Sequence, residues 1–343
     1  MSNPEPNARS AARRVLPAIL GVGISLGLLL WALRGVSLGD ILDHVKAAKP
    51  APLVIAVILA TLTFPLRLIR WRLLLRDENG LAYPSGPLWH AVALGFMANN
   101  VLPLRAGELV RSYTASRLAD IRFTTVLSSV AVERIFDGLT IAGLLTLALL
   151  SPDLPGSVRV GGISVARLAQ MGGLVGGISL LVAIGVLIAP LSAERLVRRV
   201  LPWRRLADRA VNLIEGVRQG LVVLRAPARL IQVVLWSLVL WLVNALAFYV
   251  GFGSFDIPVS YYGALLLQGL LVLGISIPST PGFFGPFEAV IVAVLALYGV
   301  PKDLAFSYAI SFHVTSFIPI TLLGLWSLVR SPDGFRGLRQ AKQ

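Results

Sequence analysis

The 343-residue sequence contains no cysteine and only three histidines. The first absence excludes structural disulfides, thiolate metal sites, cysteine nucleophiles and lipid attachment at cysteine. Acids are also scarce: 17 Asp and Glu stand against 31 Lys and Arg, and charged residues make up 14% of the chain, against roughly 25% in ordinary soluble domains. No HExxH or GxxxxGK[ST] pattern occurs, which excludes a metalloprotease site and a nucleotide cradle. No cofactor is implied.

What takes the place of polar residues is apolar sequence, 56% of the chain with a mean hydropathy of +0.79, the composition of a membrane protein. The net charge of +14 falls between apolar runs and lines no polar face, so it reads as a topology signal and not as a nucleic-acid footprint. Long continuous apolar runs, with 32 Gly and 21 Pro and no alternating ten-residue strands, predict an all-α polytopic protein with broken helices. Residues 1–343 are read as a single integral-membrane domain.

The first run, Leu16 to Leu33, follows Arg9, Arg13 and Arg14 but precedes no small-residue cleavage site, so it is expected to be retained as a span. Further runs cover Pro52 to Leu66, Leu88 to Leu104, Thr125 to Leu150, Met171 to Pro190, Leu230 to Val250, Tyr261 to Ile277, Phe287 to Val300 and Leu304 to Val329. The runs at 88–104, 261–277 and 287–300 fall short of the ~20 residues a crossing needs. They are cut or bordered by Asn99, Asn100, Pro103, Pro278, Pro281, Gly282 and Pro286. Charge decides between crossing and re-entry. If 88–104 dips in and returns, and 261–300 is a paired excursion from the other side, 24 of the 31 basic residues lie inside and six outside, with Arg134 in the membrane. The expected topology is six full spans, two broken re-entrant hairpins that form a possible inverted repeat, and both termini (1–15 and 330–343) in the cytoplasm.

One long polar stretch, 192–228, carries eight arginines from Arg195 to Arg225 with apolar residues at three- and four-residue steps. It reads either as an amphipathic helix on an anionic inner leaflet or as a basic loop that fixes orientation.

Three stretches carry candidate chemistry. The first, NNVLPLRAGELVR (Asn99 to Arg111), ends a short run with two amides, a proline break, and Arg105, Glu108 and Arg111. If a helix restarts near Ala106, Glu108 and Arg111 share a face, so that Glu108 orients Arg111 and leaves Arg105 for an anion. The bland alternative is a loop with local ion pairs. The second, SSVAVERIFDGL (Ser128 to Leu139), places Glu133, Arg134 and Asp137 inside an apolar span, where each ionisable group costs roughly 2.5–3.5 kcal/mol unless it meets partners. Arg105, Arg111 and His313 are the candidate partners; the competing reading is an ion network that only locks helices. The third, IPSTPGFFGPFE (Ile277 to Glu288), like the first contains PxxxG followed by a glutamate: Pro103, Gly107 and Glu108 in one, Pro281, Gly285 and Glu288 in the other. Paired breaks in two halves point to a transporter site. His313 is either a core histidine or a proton carrier if it meets Glu133 or Glu288. The tryptophans Trp71, Trp89, Trp236, Trp241 and Trp326 read as interface anchors or packing.

These three stretches, preceded by RLIRWRLLL at Arg67 to Leu75, occur in an order that resembles the lysylphosphatidylglycerol synthase/flippase-like transmembrane family. The resemblance implies a multi-pass protein of a bacterial-type inner membrane that moves an anionic or lipid-linked molecule between leaflets. Its partners would be membrane lipids with an anionic headgroup and a lipid-synthesis enzyme. The residues matching its motifs are Asn99, Asn100, Pro103, Arg105, Gly107, Glu108, Arg111, Glu133, Arg134, Asp137, Pro278, Pro281, Gly282, Gly285 and Glu288. The sequence ends at Gln343 without the aminoacyl-transferring domain of the full-length synthases, so aminoacylation of lipid is not expected. The leading expectation is a lipid flippase and not an enzyme, with Asn99, Asn100, Arg105, Glu108, Arg111, Glu133, Arg134, Asp137, Pro281, Gly282, Glu288 and His313 as the substrate-binding set. A headgroup-modifying membrane enzyme and a non-catalytic partner of a lipid-synthesis enzyme remain as alternatives.

Overall fold

A computed structural model of the chain describes residues 8–77, 79–102, 106–152, 159–160, 163–164, 167, 174, 227–276 and 280–331. The expected span at 171–190 and nearly all of the basic stretch 192–228 lie outside these residues, as do Pro103, Leu104, Arg105 and Pro278.

The described chain is helical as expected, with one two-residue hairpin pairing Arg159–Val160 with Ile163–Ser164. Its helices are α1 (Ala8–Leu33), α2 (Leu38–Ala47), α3 (Pro50–Leu74), α4 (Ser85–Val101), α5 (Gly107–Ala119), α6 (Phe123–Leu149), α7 (Pro227–Phe252), α8 (Tyr261–Gly274), α9 (Pro286–Leu297) and α10 (Lys302–Arg330). Their starts follow from local chemistry. Ser37 Oγ accepts from the Asp40 amide to cap α2, Ser260 Oγ accepts from the Gly263 amide to cap α8, and Pro50 and Pro286 open α3 and α9 where no intrahelical donor is missed.

Among the described residues three helices are long and apolar enough to cross a membrane, Pro50–Leu74, Ala228–Phe255 and Lys302–Arg330. A fourth is counted if Gly21–Leu33 and Leu38–Ala47, which meet at a 78° bend, form one broken span. The 27-residue α6 is long enough, but Glu133, Arg134 and Asp137 interrupt its apolar run.

The two sequence breaks are each flanked by helices that fold back on one another. Between α4 and α5, a Cβ on Gly107 would lie 2.1 Å from the Gly95 carbonyl oxygen, and one on Gly95 would lie 2.8 Å from the Arg111 Cβ. Only glycine permits so close a backbone approach. Asn99 Oδ1 accepts from the Gly107 amide at 2.9 Å and ties the hairpin across its turn. The second hairpin, α8 and α9, closes where Gly274 meets Val290. Between them, Gly282 (φ +69°), Phe283 (φ +65°) and Gly285 (φ +97°) adopt left-handed backbone.

Two apolar cores hold these parts. One joins Phe64, Trp71, Leu88, Val92, Val126, Val130 and Phe136 of α3, α4 and α6. The other joins Leu240, Phe248, Phe252, Leu265, Leu266, Ile291, Leu295, Tyr308 and Phe312 of α7 to α10. Helix α1 is fastened to the second break by the Thr280 amide donating to Ser25 Oγ at 2.8 Å, and its end is held to the start of α10 by Lys302 Nζ donating to the carbonyls of Trp31 and Arg34.

Candidate functional site

Buried charge concentrates where α3, α5, α6 and α7 meet. Glu133 is fully buried and accepts from Arg111 through two parallel bonds of 2.9 Å, from Nη1 to Oε1 and from Nη2 to Oε2. Arg134 Nη2 donates to the same Oε1 at 2.8 Å, and Arg70 Nη2 lies 3.2 Å from it. Four residues along α6, Asp137 Oδ1 accepts from Arg70 Nη1 at 2.6 Å and from the Trp241 indole at 2.8 Å. Arg70 also donates to Ser237 Oγ at 2.9 Å. The Arg111 guanidinium lies flat against Trp71, 3.8 Å from the ring centroid, and the Trp71 indole donates to Ser129 Oγ. Trp71 and Trp241 are therefore packing and hydrogen-bonding groups of the interior, while Trp326 is half exposed.

Arg67 differs from its neighbours. Its side chain is buried between Phe96 and Trp241, with the guanidinium carbon 5.1 and 5.4 Å from the two ring centroids. Its nearest carboxylate oxygen, Asp137 Oδ2, is 3.9 Å away. Neither Nε nor Nη1 has a hydrogen-bond partner. Four guanidinium groups, Arg67, Arg70, Arg111 and Arg134, thus share two buried carboxylates and the half-exposed Glu108, which lies 3.6 Å from Arg134. The surplus is positive.

Several expectations are corrected here. Glu108 does not hold Arg111, because Arg111 turns inward to Glu133 and Glu108 faces Arg134. Of the partners expected for Glu133, Arg111 is one, His313 is not, and Arg105 lies outside the described residues. Arg67 and Arg70, which with Arg72 and Arg76 are four of the 24 basic residues that the charge count puts inside, are buried in α3. They were missed because Arg72 and Arg76 follow directly and make the segment look like a basic flank. The readable signal was their i,i+3 spacing, which puts both on the face that carries Trp71 one step on.

The second polar group lies at the second break. His313 Nδ1 is 2.6 Å from Glu288 Oε1 and Nε2 is 2.8 Å from the Gly282 carbonyl oxygen. Glu288 Oε2 accepts from the Gly285 amide at 2.7 Å. The two breaks lie side by side: Asn100 Nδ2 donates to Thr321 Oγ1 on α10, and the Asn100 carbonyl sits 3.4 Å from where a Gly282 Cβ would be. Among the described residues no hydrogen bond or ion pair connects the Glu288–His313 pair to the arginine cluster. Pro281 starts the short turn Pro281–Phe283 that presents the Gly282 carbonyl. No group of three or more potential metal ligands occurs among the described residues.

Comparison with known proteins places this geometry. The chain is 29% identical over 314 residues to a protein of Haloferax volcanii named glycosyltransferase AglD, covering 83% of this chain and 49% of that one. It thus spans about half the length of that relative. It is also 25% identical over 246 residues to a UPF0104 membrane protein of Methanothermobacter thermautotrophicus, covering 67% of this chain and 70% of the relative. A second UPF0104 membrane protein of that organism is 23% identical over 306 residues, with 84% and 85% covered. The first of these overturns the expectation that the chain is not an enzyme, since the similar protein bears an enzyme's name. The family described as the lysylphosphatidylglycerol synthase TM region matches residues 18–324, and the chain is a membrane protein belonging to that family.

Proposed function

We propose that this protein moves an anionic or lipid-linked substrate, a phospholipid or a polyprenyl-linked or terpenoid lipid, between the two leaflets of an inner membrane. The observation that carries the reading is Arg67. A buried guanidinium without a hydrogen-bonded counterion is costly. Here it lies in an aromatic cradle beside a cluster with more cation than anion, an arrangement suited to a phosphate-bearing headgroup that enters and leaves. Glu133 and Asp137 hold Arg70, Arg111 and Arg134 in position, so that an incoming phosphate meets oriented donors. The residues assigned to the path are Asn99, Asn100, Arg105, Glu108, Arg111, Glu133, Arg134, Asp137, Pro281, Gly282, Glu288 and His313, now joined by Arg67 and Arg70. The six-span arrangement with two re-entrant hairpins and cytoplasmic termini belongs to the same proposal, supported by the charge count and by the two hairpins folding back at glycine contacts.

A second reading, chemical modification of a lipid headgroup, is favoured by the glycosyltransferase name of one similar protein. The two activities are read together. Proteoliposomes are loaded with fluorescent phosphatidylglycerol, a fluorescent polyprenyl phosphate or fluorescent phosphatidylcholine. Transport appears as dithionite-inaccessible label returning to the outer leaflet, and chemistry appears as a changed lipid mass. Arg67→Gln is expected to slow movement of the anionic probes about 10- to 100-fold, the equivalent of one hydrogen bond to a charged group. Unchanged movement in that variant, or none of any anionic probe in the wild type, would sink the transport reading.

A further inference from the structure

The proton inventory of the Glu288–His313 pair follows from its acceptors. The Gly282 carbonyl only accepts, so His313 Nε2, 2.8 Å from it, must carry a proton. Nδ1 and Glu288 Oε1 are 2.6 Å apart, and two lone pairs do not approach so closely without a proton between them. The other carboxylate oxygen is occupied as an acceptor of the Gly285 amide. Whether the shared proton sits on nitrogen or on oxygen, the pair holds one proton more than a neutral imidazole beside a carboxylate. The ring cannot rotate to escape this arrangement, because Phe284 and Phe287 stack on it with centroids 4.4 and 4.1 Å away. Among the described residues, what faces the pair from neighbouring elements does not titrate: Ser25 of α1, reached through Thr280 and Gly285, and Asn100 of α4, reached through Gly282. Both members are buried.

Both anchors of the pair also belong to the second break. Gly282 and Gly285, in left-handed backbone, are held there through their carbonyl and amide by His313 and Glu288. Departure of the shared proton leaves a carboxylate facing the bare Nδ1 of a neutral imidazole, a repulsion that only displacement of the break relieves. The break adjoins Asn100 at the end of the first hairpin. We propose that Glu288 and His313 form a proton-binding site that latches the Pro281–Gly285 break, and that the proton taken up and released there drives lipid movement. The latch stands on the hydrogen-bond geometry alone; its use as a coupling ion rests on the transport reading above.

The test begins with nitrogen-15 histidine spectra of the whole protein in nanodiscs, His44→Gln and His90→Gln serving to assign the three rings. At neutral pH His313 should show Nε2 protonated and Nδ1 protonated or strongly hydrogen-bonded. A bare Nδ1 would overturn the proton site without any transport measurement. In Glu288→Gln the side-chain amide donates to Nδ1, so His313 should become a pH-independent neutral ring. A single cysteine at Thr280, labelled at a rate normalised to a free thiol, should then gain at least tenfold in reactivity when the wild type loses its proton, and be insensitive to pH in Glu288→Gln. Equal pH response in both proteins would overturn the latch. In proteoliposomes an imposed pH gradient should accelerate fluorescent phosphatidylglycerol in the wild type and leave Glu288→Gln unaffected; a wild type that moves lipid with no response to the gradient overturns the coupling. A wild type that moves no lipid refutes transport and coupling together, and the spectra and labelling still decide the latch.

Discussion

Replacing Arg70 and Arg67 by methionine separates a cation that holds the fold from one that awaits a ligand. The two lie three residues apart on α3, yet their surroundings differ. Arg70 is fully buried, donates at 2.6 Å to Asp137 and 2.9 Å to Ser237, and lies 3.2 Å from Glu133. Its removal takes from Asp137 its arginine hydrogen bond and from Glu133 a cation at 3.2 Å, and breaking one side of a buried pair typically costs about 3–5 kcal/mol. Arg67 makes one 3.9 Å approach to Asp137. At that range an effective dielectric of 20 gives about 4 kcal/mol of attraction, opposed by a desolvation penalty of several kcal/mol. Cation–π contact with Phe96 and Trp241 adds ~1–2 kcal/mol, and a methionine between the same rings recovers part of that contact. Arg67→Met should therefore alter stability by no more than ~1 kcal/mol in either direction, while Arg70→Met loses at least ~3. Thermal unfolding in detergent, followed by loss of monodisperse protein on size exclusion, reads the difference. Comparable destabilisation by both substitutions would show that Arg67 is as structural as Arg70, and the case for a ligand-awaiting cation would collapse.

Topology is open to single-cysteine labelling because the chain has no cysteine of its own. Ser85→Cys and Arg117→Cys, at exposed or half-exposed ends of the α4–α5 hairpin, should react from one side of the membrane and Lys46→Cys from the other; reaction of positions 85 and 117 from opposite sides would mean that the hairpin crosses. The glycine contacts predict a contrast in folded yield. Gly107→Ala and Gly285→Ala, whose new Cβ atoms would lie 2.1 Å from the carbonyl oxygens of Gly95 and Ser25, should lose most of it. Gly138→Ala, with nothing within 4 Å and a helical backbone, should gain up to ~1 kcal/mol, and a loss there would show that α6 is packed more tightly than its open surroundings indicate.

The all-helical class and both breaks were legible because apolar run length and Pro/Gly interruption are local properties. So was the need of Glu133 and Asp137 for partners, since carboxylates in an apolar span cannot remain unpaired. Which arginines would answer was not legible. Arg70 and Asp137 are 67 residues apart, and Ser237 lies 167 residues from Arg70, so only the packing of α3 against α6 and α7 selects them. The same holds for His313, which the sequence left between Glu133 and Glu288. The left-handed backbone at Gly282 brings a carbonyl onto its far nitrogen, and α9 begins where Glu288 can reach the near one.

The distance along the chain between Arg70 and its counter-charges also governs how the protein is made. When α3 leaves the ribosome, Glu133 and Asp137 do not yet exist, and three arginines in its second half, Arg67, Arg70 and Arg72, face a membrane that penalises each by roughly 2.5–3.5 kcal/mol. The apolar first half of α3, Pro50 to Leu66, inserts on its own terms. The half carrying Arg67 and Arg70 is expected to stay at the aqueous edge until α6 arrives, so a nascent chain stopped before Phe123 should keep Arg70 accessible to water-borne reagents and one extended past Leu149 should not. On that expectation insertion and ion pairing form one late event, and a carboxylate lost from α6 should be felt first during biogenesis, as a helix that never finishes entering the membrane.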